Sequence, residues 1–191
     1  MIAGIVLAAG LARRMGRQKL LLQLQGKPVV RWAVERLLPR VEDLVVVTGR
    51  DDASVRDALA GLAVRFASNP RPQEGQGSSI AVGVGVLDPR ARAVLIALGD
   101  QPKTPDRVVP ALLAAIAQSG KPIVVPVFQG VQGTPVIFAR EIFSELSQLT
   151  GDAGARSVVE ARPERVERVA FDFPMPPDVD TPEDYARLHV Q

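Results

Sequence analysis

Two stretches of this chain carry residue types suited to chemistry on phosphate. The segment Leu7-Ala-Ala-Gly10-Leu-Ala-Arg13-Arg14-Met-Gly16-Arg-Gln-Lys19 directly follows an apolar N-terminal run. Gly10 and Gly16 let the backbone turn and come close to a ligand. Backbone N–H groups of such a loop can point at phosphate oxygens, and Arg13, Arg14 and Lys19 add the charge that favours a triphosphate. The alternative is a surface loop with solvated arginines. In the second stretch, Gly99-Asp100-Gln101-Pro102 closes the uncharged run Ala93–Leu98. A carboxylate emerging there can hold Mg²⁺ against phosphate oxygens, or can simply serve the turn before Pro102 and Pro105. Two standard phosphate motifs are absent: no Ser or Thr follows Lys19, and no Gly-x-Gly-x-x-Gly follows the first apolar run.

The elements that must position these residues alternate. Apolar runs at Ile2–Leu7, Leu44–Val47, Val64–Ala67, Ala93–Leu98, Ile123–Val127, Val136–Phe138 and Val166–Phe171 read as strands. Helical spacing occupies Pro28–Leu38, Ala53–Leu62, Ser78–Leu87, Pro105–Gln118, Ala139–Leu149, Ala153–Glu160 and Thr181–Leu188. Wholly apolar strands alternating with helices predict an α/β fold: three layers, with a mostly parallel sheet covered on both faces. Ligands of such sheets bind beyond the carboxyl ends of the strands, which points to the loops after Leu7, Val47, Ala67 and Leu98.

With 191 residues the chain predicts one domain spanning 1–191. It has 47% hydrophobic and 23% charged residues, the balance of a soluble globular protein. The basic residues Arg13 and Arg14 follow the first apolar run rather than precede it, the reverse of a secretory leader, so the expected location is cytoplasmic. No cysteine is present, which excludes disulfides, zinc–thiolate sites and thiol nucleophiles. A net charge of +2 and 4% aromatics give no platform for nucleic acid. His189 lies close to the C-terminal end, where terminal mobility argues against catalysis, and Trp32 sits among apolar residues as a core side chain.

Other polar segments have two readings each. Gly75-Gln76-Gly-Ser78-Ser79 either caps a helix with a serine or offers amide and hydroxyl contacts to a base or sugar. In Asp178-Val-Asp180-Thr-Pro-Glu, Asp180 or Thr181 is suited to cap the last helix. Gly151-Asp152-Ala-Gly154 suits a helix start capped by Asp152, and Gly130–Pro135 a hairpin-like loop.

Leu-Ala-Ala-Gly-x-x-x-Arg-Met-Gly-x-x-Lys resembles the signature loop of the MobA-like nucleotidyltransferases, most of all the molybdenum cofactor cytidylyltransferase branch. Gly75–Ile80, Leu98–Pro102, Gly130–Phe138, Leu149–Ala155 and Val179–Asp184 follow in family order across nearly the whole chain. The resemblance implies a Rossmann-like nucleotidyltransferase fold and transfer of CMP from CTP to the phosphate of molybdenum-bound molybdopterin, with release of pyrophosphate. It implies nucleotide contacts from Leu7, Ala8, Ala9, Gly10, Arg13, Arg14, Met15, Gly16, Lys19, Asn69, Gln76, Ser78 and Ser79. Lys19, Arg14 and Asp100 would be catalytic, and Asp100 with Asp180 would hold Mg²⁺ (or Mn²⁺). Gly151–Gly154 would lie near the acceptor side, and a molybdoenzyme would be the client. The acceptor phosphate is already charged near neutral pH, so no side-chain base is required. The chain departs from the branch at Gly133-Thr134-Pro135, where Gly-His-Pro is expected. It has Leu7-Ala8-Ala9-Gly10 where the guanylyl branch carries Leu-Ala-Gly-Gly. The competing readings are a related transferase using GTP or another NTP on a different phosphorylated acceptor, and a non-catalytic module that carries the cofactor. Asp100, Asp180 and Lys19 together speak against the last, since binding alone does not need two carboxylates beside a polyanion.

Overall fold

The computed structural model describes residues 1–10, 18–49 and 52–188. Its strands are β1 (Ile2–Ala8), β2 (Gln23–Leu24), β3 (Lys27–Pro28), β4 (Asp43–Thr48), β5 (Arg65–Ser68), β6 (Ala93–Leu98), β7 (Ile123–Phe128), β8 (Val131–Gln132), β9 (Val136–Ala139) and β10 (Val166–Phe171). Its helices are α1 (Val29–Leu37), α2 (Asp52–Ala58), α3 (Gln76–Gly85), α4 (Val108–Gln118), α5 (Phe143–Ser147), α6 (Arg156–Ala161) and α7 (Pro182–Leu188).

The main sheet runs β10-β7-β9-β6-β1-β4-β5, with β8 paired to β7. β1 lies between β4 and β6 and is parallel to both. The strands read as continuous apolar runs because alternate residues feed two different cores. Val6, Val46 and Leu95 face a layer containing Val34 of α1, Val55 of α2 and Leu112 of α4. Their neighbours Ile5, Val45 and Ile96 face Ile80 of α3, Leu146 of α5 and Val158 of α6. A smaller cluster joins Leu24, Val29, Val179 and Leu188. It holds the last segment of the described chain against the β2–β3 hairpin. Trp32 packs on this cluster and its indole N–H donates to the Leu24 carbonyl at 2.8 Å, the structural role its neighbours suggested.

The expected α/β architecture is present, with differences of detail. β9 inserts antiparallel between β6 and β7, and β8 folds back on β7 through the Gln129–Gly130 turn. The β2–β3 hairpin lies in a segment whose apolar alternation, Leu22-Gln23-Leu24-Gln25, is too short to mark a strand pair. Helix ends shift as well. α4 opens at Val108 rather than Pro105, and α6 at Arg156 rather than Ala153. Among the described residues, no helix is long and apolar enough to cross a membrane.

Candidate active site

Adjacent parallel strands deliver their carboxyl-end loops to the same place. β1 and β6 end side by side, with Leu7 opposite Leu98. The Gly99 N–H then donates to the Leu7 carbonyl at 2.9 Å, continuing the ladder by one residue before the chain turns. A Cβ on Gly99 would stand 3.1 Å from that carbonyl oxygen, so a small residue lets the strand ends stay in contact. Asp100 therefore emerges beside the segment that leaves β1. On that segment, Lys19 opens a short 3₁₀ turn anchored by buried Leu20.

Asp180 comes from the far end of the sequence. Buried Val179 fills the small third cluster, and its N–H donates to the Asp100 carbonyl at 3.1 Å. Lys19 Nζ donates to Asp100 Oδ2 at 2.5 Å and to Asp180 Oδ1 at 2.6 Å. Burial alone would lower the lysine pKa, but the two carboxylates outweigh it and raise the pKa above the ordinary value. Among the described residues, the other oxygen of Asp100, Oδ1, is buried and finds no hydrogen-bond partner. A buried carboxylate oxygen left in this way is costly and suits a cation.

Helix α7 takes only the backbone N–H of Asp180, which donates to Asp184 Oδ2 at 3.2 Å. Its cap is Thr181: the Thr181 hydroxyl accepts from the Asp184 N–H at 3.2 Å, while Asp184 Oδ2 accepts from the Thr181 N–H at 2.8 Å. This reciprocal pair fixes the choice between the two possible caps and leaves the Asp180 carboxylate facing Lys19.

Leu7, Ala9, Gly10, Lys19, Asp100 and Asp180 line a cavity of about 390 Å³. Its opposite wall includes Gln76 and Ser79, joined by Pro72, Gln73, Gly75 and Asp152. Several sequence expectations change here. Neither serine caps α3: Gly75 takes that position at φ 89°, and Ser78 Oγ lies within the first turn, donating to the Gly75 carbonyl at 2.8 Å. Ser78 and Asn69 stand behind the cavity wall rather than on it, with Asn69 Nδ2 donating to Ser78 Oγ at 2.9 Å and to Ser79 Oγ at 3.0 Å. Their place is to hold Ser79. Ala8 points into the core. Asp152 does not cap α6, whose N-cap is Ala155; it lines the first cavity. Arg13, Arg14, Met15 and Gly16, and likewise His189, lie outside the described residues.

The wall carrying Gln76 depends on two glycines. A Cβ on Gly75 would meet the Gly151 backbone at 2.4 Å, and one on Gly77 would meet the Thr150 backbone at 2.7 Å. The Gly77 N–H donates to the Gly151 carbonyl at 2.9 Å. Gly77→Ala is expected to push the 150–152 segment away, lowering stability by about 1–3 kcal/mol and raising the KM of whatever substrate fills the cavity through displaced Asp152. Thermal melting and steady-state kinetics check both; an unchanged melt would show that the two segments are loosely packed.

A second cavity of about 560 Å³ adjoins the first and shares Leu7, Gln76 and Leu98 with it. Its apolar lining includes Ile80, Ile96, Val136 and Val159, and its polar groups include Gln101, Thr134 and Asp178. Burial, then Asp100, pushes the Asp178 carboxyl above its usual range.

Residues 4–167 match the MobA-like NTP transferase domain. The chain belongs to that family. It is thereby a nucleotidyltransferase, and the Rossmann-like sheet with its ligand edge at the strand ends is the fold expected of one. The purine catabolism protein PucB of Bacillus subtilis is 30% identical over 96% of this chain and 94% of its own length. A molybdenum cofactor guanylyltransferase of Cereibacter sphaeroides is 34% identical over 61% of this chain and 62% of its own. The crystal structure of Rv0371c from Mycobacterium tuberculosis superposes with a TM-score of 0.87 at 30% identity, covering 100% of this chain and 97% of that one. Rv0371c has also been solved in complex with manganese.

In this family member, Asp100 and Asp180 are the groups that fit a divalent cation. The described residues gather no cage of three or more acidic or histidine side chains. A small hard cation such as Mg²⁺ does not need one: it takes one or two carboxylates and completes its shell with phosphate oxygens and water. The unpartnered Asp100 Oδ1 is the oxygen that would meet such a cation.

Proposed function

We propose that the chain transfers CMP from CTP to the phosphate of molybdenum-bound molybdopterin, with 1–191 working as one domain. An oxygen of the acceptor phosphate attacks the α-phosphorus of the nucleotide. The bond from that phosphorus to the bridging oxygen breaks, and pyrophosphate leaves with the electron pair. The acceptor phosphate carries its charge at neutral pH, so the residues need only position the reactants and balance their charge. Lys19, with Arg13 and Arg14 of the same loop, offers positive charge to the triphosphate. Leu7, Ala9 and Gly10, and by the resemblance Met15 and Gly16, would contact its phosphates, and Gln76 and Ser79 would face the base and sugar. Asp100 and Asp180 hold Mg²⁺ (or Mn²⁺), which when bound neutralises charge developing on the phosphates.

The observation that carries this reading is the meeting of Lys19, Asp100 and Asp180 at one cavity edge, with Asp100 Oδ1 unpartnered. A purely carrying module would not need this cluster beside a polyanion. The test is incubation with each NTP, Mg²⁺ and molybdenum-bound molybdopterin, with pyrophosphate detection. Release that requires both CTP and the acceptor supports the proposal; none with any NTP overturns it. A cytoplasmic location and delivery of the product to a molybdoenzyme client complete it.

The name of the guanylyltransferase relative favours a second reading, in which GTP replaces CTP. Ala9 bears on the choice, since it lines the nucleotide cavity and is 7% exposed. Its methyl narrows the space beside the base. One methyl is worth about 1–3 kcal/mol of discrimination, so Ala9→Gly is expected to relax a CTP preference only in part. The kcat/KM values for CTP and GTP check this, and equal values in the unmodified protein would favour the guanylyl reading.

A further inference from the structure

Three polar side chains run in a line from the second cavity toward the paired aspartates, and their chemistry fixes the direction of every hydrogen bond. Gln101 follows Asp100 and is 5% exposed. Its Nε2 donates to Asp178 Oδ1 at 2.6 Å, and its Oε1 accepts from the Thr134 hydroxyl at 2.6 Å. A carboxylate only accepts, so the amide nitrogen must face Asp178. The amide oxygen then faces Thr134, whose hydroxyl must donate. Among the described residues, Asp178 Oδ2 takes no hydrogen bond. Thr134 is the residue that stands where the cytidylyltransferase branch is expected to carry histidine. A neutral imidazole could occupy that place as donor or acceptor, whereas the Thr134 hydroxyl here is committed to donating.

The three acids near the strand ends divide between the two cavities. Asp100 and Asp180 line the first, while Asp178 lines the second together with Gln101 and Thr134. Ile80, Ile96, Val136 and Val159 give the second cavity apolar walls, and Gln76, Gln132, Arg156 and Glu160 add polar and charged groups to its lining. Apolar walls beside an acceptor-only group suit a flat ring that presents an N–H or O–H donor at its edge.

We infer that Asp178 reads a hydrogen-bond donor on the acceptor's ring in the second cavity, and that Gln101 and Thr134 are positioning residues that hold its carboxylate for that contact. This rests on the transfer reaction proposed above. Thr134 acts at a distance: its hydroxyl sets the amide, and the amide sets the carboxylate. Removing the hydroxyl leaves Gln101 Oε1 without a partner in a nearly sealed position. The amide then loses its fixed direction, and Asp178 loses its orientation.

The test uses the full chain with CTP, Mg²⁺ and molybdenum-bound molybdopterin, and measures KM for each substrate and kcat separately. Thr134→Val keeps the shape and removes the donor. The acceptor KM is expected to rise by about tenfold or more, with the CTP KM within about twofold of the unmodified value. Thr134→Ser restores the donor and should restore the acceptor KM. Gln101→Glu sets a carboxylate against Asp178 and should raise the acceptor KM further. Asp178→Asn should raise it too, because the contact loses an acceptor-only group. A Thr134→Val protein whose acceptor KM is unchanged overturns the inference while leaving the transfer reaction intact. So does an equal rise in both KM values, or a loss in Thr134→Val that Thr134→Ser does not recover, since either marks a merely structural role. Failure of the unmodified protein to use molybdopterin with any NTP overturns the proposed reaction and this inference with it.

Discussion

Asp100→Asn is expected to lower kcat by about two to three orders of magnitude, the scale on which loss of one preorganised electrostatic contact slows a charged transition state. The substitution keeps the size and most of the hydrogen-bonding shape of the side chain. It removes the anionic oxygen, Oδ1, that the protein leaves buried and unpartnered. It also weakens the 2.5 Å contact to Lys19, so the lysine is left to Asp180 alone. Asp180→Asn should behave alike, and the loss is attributable to the site, because the helix cap belongs to Thr181 and Asp184. If both carboxylates act through one cation, the double variant loses much less than the product of the single losses. Strictly multiplicative losses, or full activity in excess chelator, would show that the two aspartates do not share a metal.

Lys19→Ala tests the same cluster from the cationic side, and it should change stability and activity in different ways. Without a metal, the variant removes the ammonium group that bridges the two carboxylates. Breaking a buried pair is strongly destabilising, but Asp180 is 43% exposed at its side chain and water screens part of the effect. The expected loss is about 1–3 kcal/mol in chelator, between the buried and exposed limits. Mg²⁺ or Mn²⁺ should return most of it, because the cation then balances the carboxylates. Activity should not return: kcat/KM for the nucleotide is expected to stay down by about a hundredfold or more at saturating metal. The pH dependence has a definite sign. The lysine pKa is raised in the folded protein, so the stability it contributes is fully present at neutral pH and is lost only as pH rises through and beyond the ordinary lysine range. Melting curves at neutral and strongly alkaline pH check this, and a variant as stable as the unmodified protein in chelator would show that the ion pairs contribute little.

The layered architecture was legible because the strands are apolar on both faces. Val6 and Ile5, or Leu95 and Ile96, serve opposite cores, so the run carries no polar interruption and marks itself. Gly10 after β1 and Asp100 after β6 were legible for a related reason: glycine or charge directly after such a run belongs at the edge of the sheet. What the sequence did not disclose is mostly contact at long range. The β9 strand reads as apolar in either direction, and only its partners make it antiparallel. A local rule makes Asp152 a helix cap, but the close approach of Thr150–Gly151 to α3 brings it to the first cavity instead. Asn69 and Ser78 were read as wall residues, yet each uses its polar atoms on its neighbours behind the wall. Gln101 sits inside a recognisable motif, but its partners, Asp178 and Thr134, come from two other loops.

The central position of β1 bears on how the protein can be made. Ile2 at the start of the chain pairs with Ala93, and both neighbours of β1 are parallel strands reached only through crossovers. During synthesis, β1 must wait for β4 on one side and for β6 on the other. At about 5–20 residues per second, the strand is incompletely paired for roughly 5 to 20 s. Through that interval an apolar strand with open edges is available to other nascent chains, the condition under which parallel sheets are most exposed to aggregation. The β1–β6 pairing that brings Lys19 to Asp100 is thus also the step that ends this exposure. Slower growth, lower temperature or a holdase chaperone is expected to raise the soluble yield of this protein without altering the folded product.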